Sequence, residues 1–239
     1  MIHLPARFDE PLESDEVRVF AFGLDDEEAL PLEIGRSWLS IDELERAGAF
    51  RFENLQDRFI RGRAVVRKIL GQYLDKEPSE LRFKLGEKGK PHLADSSLHF
   101  NLSHSLDRGV LAVSSLPSIG IDLEYFKREV NVEALSRRCF RDSEIQRIDR
   151  LNDEERKRAF FWTWTAKEAR MKATGEGFGL EPQRIEIEFD GHLPKVCLEP
   201  VDPSSFVAPV VFPDEAVACT VAATQPFRIK VCETEISFR

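Results

Sequence analysis

The sequence predicts an α+β protein of two similar halves, residues 1–118 and 119–239. Three observations support this. Around residues 52–73 and 154–172, apolar side chains recur at three-to-four spacing, as one face of a long helix requires. Shorter runs, among them 17–22, 81–85 and 216–223, are alternating or apolar and bounded by turn residues, as strands are. The pattern also repeats: a shift of 104 residues sets Gly71 on Gly175, Leu81 on Ile185 and Phe83 on Ile187, and a shift of 107 sets 110–113 on 217–220. The first shift puts Glu168 on Ala64, so one copy alone is expected to carry that acid.

Taken in order, residues 17–22 form a first strand, followed by an acidic loop through Glu33. Ser40-Ile41-Asp42-Glu43 is a capping box and opens a short helix to about Gly48. The long helix from Phe52 exits near Gly71, with Pro78 beyond it. Residues 81–85 read as a strand and 86–91 as a tight turn. The next strand, 98–105, turns at Asp107-Arg108-Gly109 into 110–113. The second half begins with the strand 119–124, in which Asp122 and Glu124 share a face. Helices follow over 132–139, 142–151 and 154–172, the last closed by Gly175, Gly177 and Gly179. An alternating strand at 184–189 meets a hairpin signal at Asp190-Gly191.

With 42% hydrophobic and 32% charged side chains in 239 residues, the chain is globular and long enough to bury a substantial core. Its net charge of −9 excludes a general binder of nucleic acid or membrane surfaces, both of which are polyanions. Cys139, Cys197, Cys219 and Cys232 lack the spacing of a zinc site and read as reduced thiols. Residues 1–15 hold no apolar signal core and no run approaches ~20 apolar residues, so a cytoplasmic protein is expected.

Glu168 falls in the apolar stripe of its helix, with Phe161, Trp164 and Met171. A carboxylate buried there must find a cation or be neutralised. One partner is Lys172, a turn further on, in an ordinary helix pair worth about 0.2–0.5 kcal/mol. The other is a metal ion shared with Asp122 and Glu124. Three hard oxygen ligands without His or Cys suit Mg²⁺, which keeps waters and phosphate oxygens. Arg58, Lys90, His104 and Lys172 are the side chains that could grip phosphates, although each could equally be a solvated or capping residue.

Gly120-Ile121-Asp122-Leu123-Glu124 followed by Trp164-Thr165-Ala166-Lys167-Glu168-Ala169-Arg170-Met171-Lys172 resembles the paired signatures of the 4'-phosphopantetheinyl transferases. Gly89-Lys90-Pro91 and Phe100-Asn101-Leu102-Ser103-His104-Ser105 resemble their longer, surfactin-synthetase-activating (Sfp-type) branch. The resemblance implies a monomer with coenzyme A, the co-substrate, in the cleft between the halves. Its phosphopantetheine arm would pass to a serine of an apo acyl or peptidyl carrier protein of fatty-acid, polyketide or nonribosomal-peptide biosynthesis. Asp122, Glu124 and Glu168 would hold Mg²⁺; Glu168, Lys172 and Asp122 would form the catalytic set. Arg58, Lys90, Ser103 and His104 would bind the 3'-phosphate end, on the N-terminal half, and Lys172 the pyrophosphate. The C-terminal half would carry the metal and the carrier-docking surface. Segment 126–140, mixing Lys127, Arg128, Arg137 and Arg138 with Leu135 and Phe140, is either that surface or an ordinary amphipathic helix. A Mg²⁺-dependent phosphohydrolase and a non-catalytic coenzyme A-binding module are the rival functions.

Overall fold

The computed structural model describes residues 10–94, 96–175, 181–191, 193–198, 206–213 and 216–232. Gly177 and Gly179 of the expected helix stop lie outside these residues, as do residues 1–9 and the side chain of Cys197. The first half runs β1 (Glu16–Gly23), α1 (Leu32–Trp38), α2 (Ile41–Gly48), α3 (Glu53–Leu74), a 3₁₀ turn (Pro78–Glu80), β2 (Phe83–Leu85), β3 (Pro91–Leu93), β4 (His99–Ser105) and β5 (Arg108–Ser114). Among the described residues the second half repeats that order. It runs β6 (Ile119–Tyr125), α4 (Val132–Cys139), α5 (Asp142–Asp149), α6 (Asp153–Thr174), a 3₁₀ turn (Pro182–Arg184), β7 (Glu186–Asp190), β8 (Leu193–Leu198), β9 (Phe206–Pro209) and β10 (Val217–Ala223). β11 (Arg228–Cys232) follows.

The internal repeat is therefore present, but in a different register along the helices. The ends of α3 and α6 are offset by 100 residues, and Asp75 and Gly175 are their left-handed caps at φ 53° and 73°. The 104-residue shift holds at the 3₁₀ turns, because the second half has four more residues between cap and turn, and the closing strands β5 and β10 are offset by 109 residues and not by the expected 107. Glu168 thus corresponds to Lys68 and not to Ala64.

Two sheets form the centre, one ordered β11-β1-β5-β4 and the other β6-β10-β9-β8-β7. Val17, Val19, Val110 and Ala112 of the first meet Ile121, Leu123, Cys219 and Val221 of the second in a shared core. α3 covers the outer face of the first sheet, packing Ile60, Ala64 and Ile69 near Phe20 and Leu111. α6 covers the second, with Ala166, Ala169 and Met171 near Ile187 and Ala222. The sheets divide near residue 118 with one exception: β11 returns to pair in parallel with β1, Val17 opposite Ile229.

Each half carries the same buried pin. Arg67 of α3 ion-pairs with Glu43 of α2 at 2.6 Å and donates to the Pro78 and Leu81 carbonyls at 2.9 and 3.1 Å. Lys167 of α6 ion-pairs with Glu144 of α5 at 2.7 Å and donates to the Pro182 and Ile185 carbonyls. Both acids also accept the backbone N–H at the start of their own helix, from Ser40 and Arg141. Lys167→Arg should therefore stay within about 1 kcal/mol of wild type, since arginine makes this set of bonds in the other half. Lys167→Met strands Glu144 and should cost about 3–5 kcal/mol. Denaturant titration separates them; equal stability of the two variants would remove the pin's role.

Candidate active site

Gly120 sets how near β6 comes to α6. A Cβ there would overlap the Ala169 carbonyl oxygen and lie 2.5 Å from the Ala173 nitrogen. Only glycine lets the strand rest against the small-residue face of the helix. Alternation along β6 sends Ile121 and Leu123 into the shared core and Asp122 and Glu124 to the opposite face, which α6 covers. Glu168 and Lys172, one helical turn apart, come down on that face.

Lys172 Nζ lies 2.6 Å from Asp122 Oδ1 and 3.1 Å from Ser103 Oγ. It pairs with the strand acid and not with Glu168, the alternative that the helix spacing allowed. Asp122 Oδ2 and Glu168 Oε1 are buried with no hydrogen-bond partner among the described residues. Burial first, then the charge of Asp122, push the Glu168 carboxyl up to about 7 against the pull of Lys172, and Glu124 adds a smaller push. Two open, buried carboxylate oxygens fit a divalent cation that prefers oxygen ligands. Glu124 is engaged: Ser105 Oγ donates to its Oε2 at 2.7 Å and Arg128 ion-pairs with its Oε1. Among the described residues no three His, Cys, Asp or Glu side chains form a ready-made metal cage.

β4 and β6 belong to different sheets, and side chains stitch them together. Asn101 Oδ1, Ser103 Oγ and Ser105 Oγ accept from the N–H groups of Ile121, Leu123 and Tyr125 at 2.8, 3.3 and 3.3 Å. The Ser103 hydroxyl also donates to Asp122 Oδ1 at 2.9 Å, just as Ser105 donates to Glu124. Ser103, expected beside a phosphate, is thus part of both the seam and the carboxylate shell. His104 feels the same charges: its imidazole is held below the ordinary range by burial and by Lys172, with Glu124 and Asp122 opposing.

Lys90 closes the C-terminal end of α6, donating to the carbonyls of Lys172, Ile119 and Ala173 at 2.6, 2.8 and 3.3 Å. A cation is favoured at a helix C-terminus, but burial lowers this ammonium to about 8. Lys90 borders a cavity of about 420 Å³ between the halves, also lined by Lys88, His92 and His99. Burial first, then Lys90 and His92, hold the His99 imidazole below its ordinary range, toward the neutral form. His92 and His99 carry no motif of their own; their only signal in the sequence is proximity to Gly89-Lys90-Pro91. Arg58 is engaged elsewhere, in a bidentate pair with Asp25 at 2.6 and 2.5 Å.

Comparison with known proteins bears on this geometry. The profile of a family described as ACPS, the 4'-phosphopantetheinyl transferase superfamily, matches residues 118–220, a span containing Asp122, Glu124, Glu168 and Lys172. The 4'-phosphopantetheinyl transferase HetI of Nostoc sp. is 42% identical over 178 residues, covering 73% of this chain and 74% of that protein. The phosphopantetheinyl transferase of Thraustochytrium sp. is 31% identical, over 75% of this chain and 66% of that protein. The mouse L-aminoadipate-semialdehyde dehydrogenase-phosphopantetheinyl transferase is 32% identical over 62% of this chain, which spans about half (52%) of that longer protein.

Proposed function

Because the chain belongs to the 4'-phosphopantetheinyl transferase superfamily, in its longer Sfp-type branch, we propose that it moves the 4'-phosphopantetheine arm of coenzyme A to a serine of an apo acyl or peptidyl carrier protein, releasing adenosine 3',5'-bisphosphate. Beyond membership, one observation carries this: the open oxygens Asp122 Oδ2 and Glu168 Oε1, buried beside Lys172 at the seam of the halves. Asp122 and Glu168 would hold Mg²⁺, with Glu124 as third ligand, and the ion would neutralise charge on the pyrophosphate. Lys172 keeps its ammonium beside Asp122 as a fixed positive charge for the same phosphates. As the carrier serine Oγ bonds to phosphorus and the bond to the bisphosphate breaks, the hydroxyl proton leaves. Glu168, directly or through a water, is its acceptor.

The N-terminal half, residues 1–118, takes the nucleotide end at the cavity lined by Lys88, Lys90, His92 and His99, with His104 and Ser103 toward the phosphates. Arg58 serves the 3'-phosphate on release from Asp25. The C-terminal half, residues 119–239, carries the metal and pyrophosphate site and docks an acidic carrier through exposed Lys127, Arg137 and Arg138. The protein acts as a cytoplasmic monomer; no helix among the described residues is long and apolar enough to cross a membrane.

Mass spectrometry of fatty-acid and secondary-metabolite apo carriers, incubated with protein, coenzyme A and Mg²⁺, tests this. Holo carrier and an equal amount of bisphosphate are expected. Bisphosphate without a carrier would mean a phosphohydrolase, and coenzyme A binding without either product a binding module.

A further inference from the structure

We propose that Arg128 is a latch on the metal site, holding Glu124 out of the ligand set until a cation displaces it. The proposal rests on Asp122 and Glu168 being metal ligands. Its geometric basis is the asymmetry among the three carboxylates. Asp122 and Glu168 each keep one buried oxygen open, whereas both oxygens of Glu124 are taken, Oε1 by Arg128 and Oε2 by Ser105.

The two partners of Glu124 differ in kind. Ser105 is fixed in the seam and can go on donating to Oε2 whatever happens at Oε1. The guanidinium competes with a metal ion for one oxygen and one negative charge. Its position is set by the backbone: Arg128 N–H donates to Tyr125 O at 3.1 Å, folding the chain back after β6. Phe126 anchors that turn, its N–H on Ala216 O at 3.0 Å and its ring centroid 6.2 and 6.3 Å from those of Phe161 and Trp162. The Arg128 side chain is 49% exposed and that of Glu124 10%, so the base can swing into solvent while the acid stays in place.

Mn²⁺ binding to the full chain, followed by the loss of the free-ion electron paramagnetic resonance signal without coenzyme A, is the test. Arg128→Ala should bind Mn²⁺ about 2- to 5-fold more tightly than wild type, the range of a half-exposed ion pair. In a Glu124→Gln background the same substitution should gain nothing. Lys127→Ala removes a neighbouring charge stacked on Tyr125 at 4.5 Å and should have a smaller, salt-screened effect. No gain in Arg128→Ala, or a gain that persists without Glu124, overturns the latch. Asp122→Asn and Glu168→Gln distinguish the two failures. If they lose Mn²⁺ binding while Arg128→Ala gains none, the latch alone falls; if they bind as wild type does, the metal reading falls and takes the latch with it.

Discussion

Glu168→Gln is expected to lower phosphopantetheine transfer by more than about 100-fold, the scale of losing a key charge-stabilising group, and at pH 8 to make the protein more stable. The carboxyl titrates at about 7 in the folded protein against an ordinary 4.5. Between those values the folded state keeps a proton that the unfolded chain has released. The associated stability is full below about 4.5 and is lost as pH rises to about 7. Above that, wild type carries an ionised, largely buried carboxylate at a cost on the order of 1–3 kcal/mol, which a glutamine escapes. Thermal melts from pH 5 to 8 should show the variant's advantage growing to about 2–10 °C. Added Mg²⁺ should narrow the gap by stabilising wild type alone. Coincident melting curves at pH 8 without metal would show that Glu168 is not the strained acid described.

Gly120→Ala should be among the most damaging single-methyl changes in the chain. The added carbon meets the backbone of Ala169, Lys172 and Ala173, which cannot rotate away as a side-chain tip can. α6 must move off β6, costing upwards of about 3 kcal/mol and about 6–12 °C in melting temperature. The same movement parts Glu168 and Lys172 from Asp122. Transfer by the folded fraction should drop about 100-fold, as misplacement of a reacting group by about 1 Å does. Gly48→Ala is the control, since a Cβ there meets nothing within 4 Å. A Gly120→Ala protein that melts like wild type would refute the close approach.

What was legible in the sequence had a local code. The Ser40–Glu43 capping box opens α2 as expected, and long periodic runs marked α3 and α6 to within a residue or two at their starts. α1 was hidden in the acidic loop because Pro31 gives no side-chain cap and Gly35 interrupts it; its hold is tertiary, Gly35 lying against Ile60 and Ala64. β3, β9 and β11 are short and draw their pairing from their neighbours in the sheets. The turn after β4 also misled. Asp107-Arg108-Gly109 looked like its centre, yet Ser105 pairs with Arg108, leaving Leu106 and Asp107 as the turn with Leu106 at φ 53°. Gly109 serves instead to admit the Phe22 ring. At the site, Asp122, Glu124 and Glu168 stood out as acids in apolar company. The seam did not, since Asn101, Ser103 and Ser105 find backbone partners twenty residues away. The repeat register slipped because four extra residues after the second helix cap fall where the halves share little identity.

The seam serines make cohesion between the halves and affinity at the site a single thermodynamic quantity. Ser103 and Ser105 each accept from a β6 amide and donate to the carboxylate beside it. A ligand that draws on Asp122 or Glu124 therefore also acts on the hydroxyls that keep β4 against β6. By reciprocity, whatever free energy the joined halves lend to binding, binding returns to their joining. Two hydroxyls shared between strand and carboxylate make the two halves one instrument, in which neither can be tuned without retuning the other.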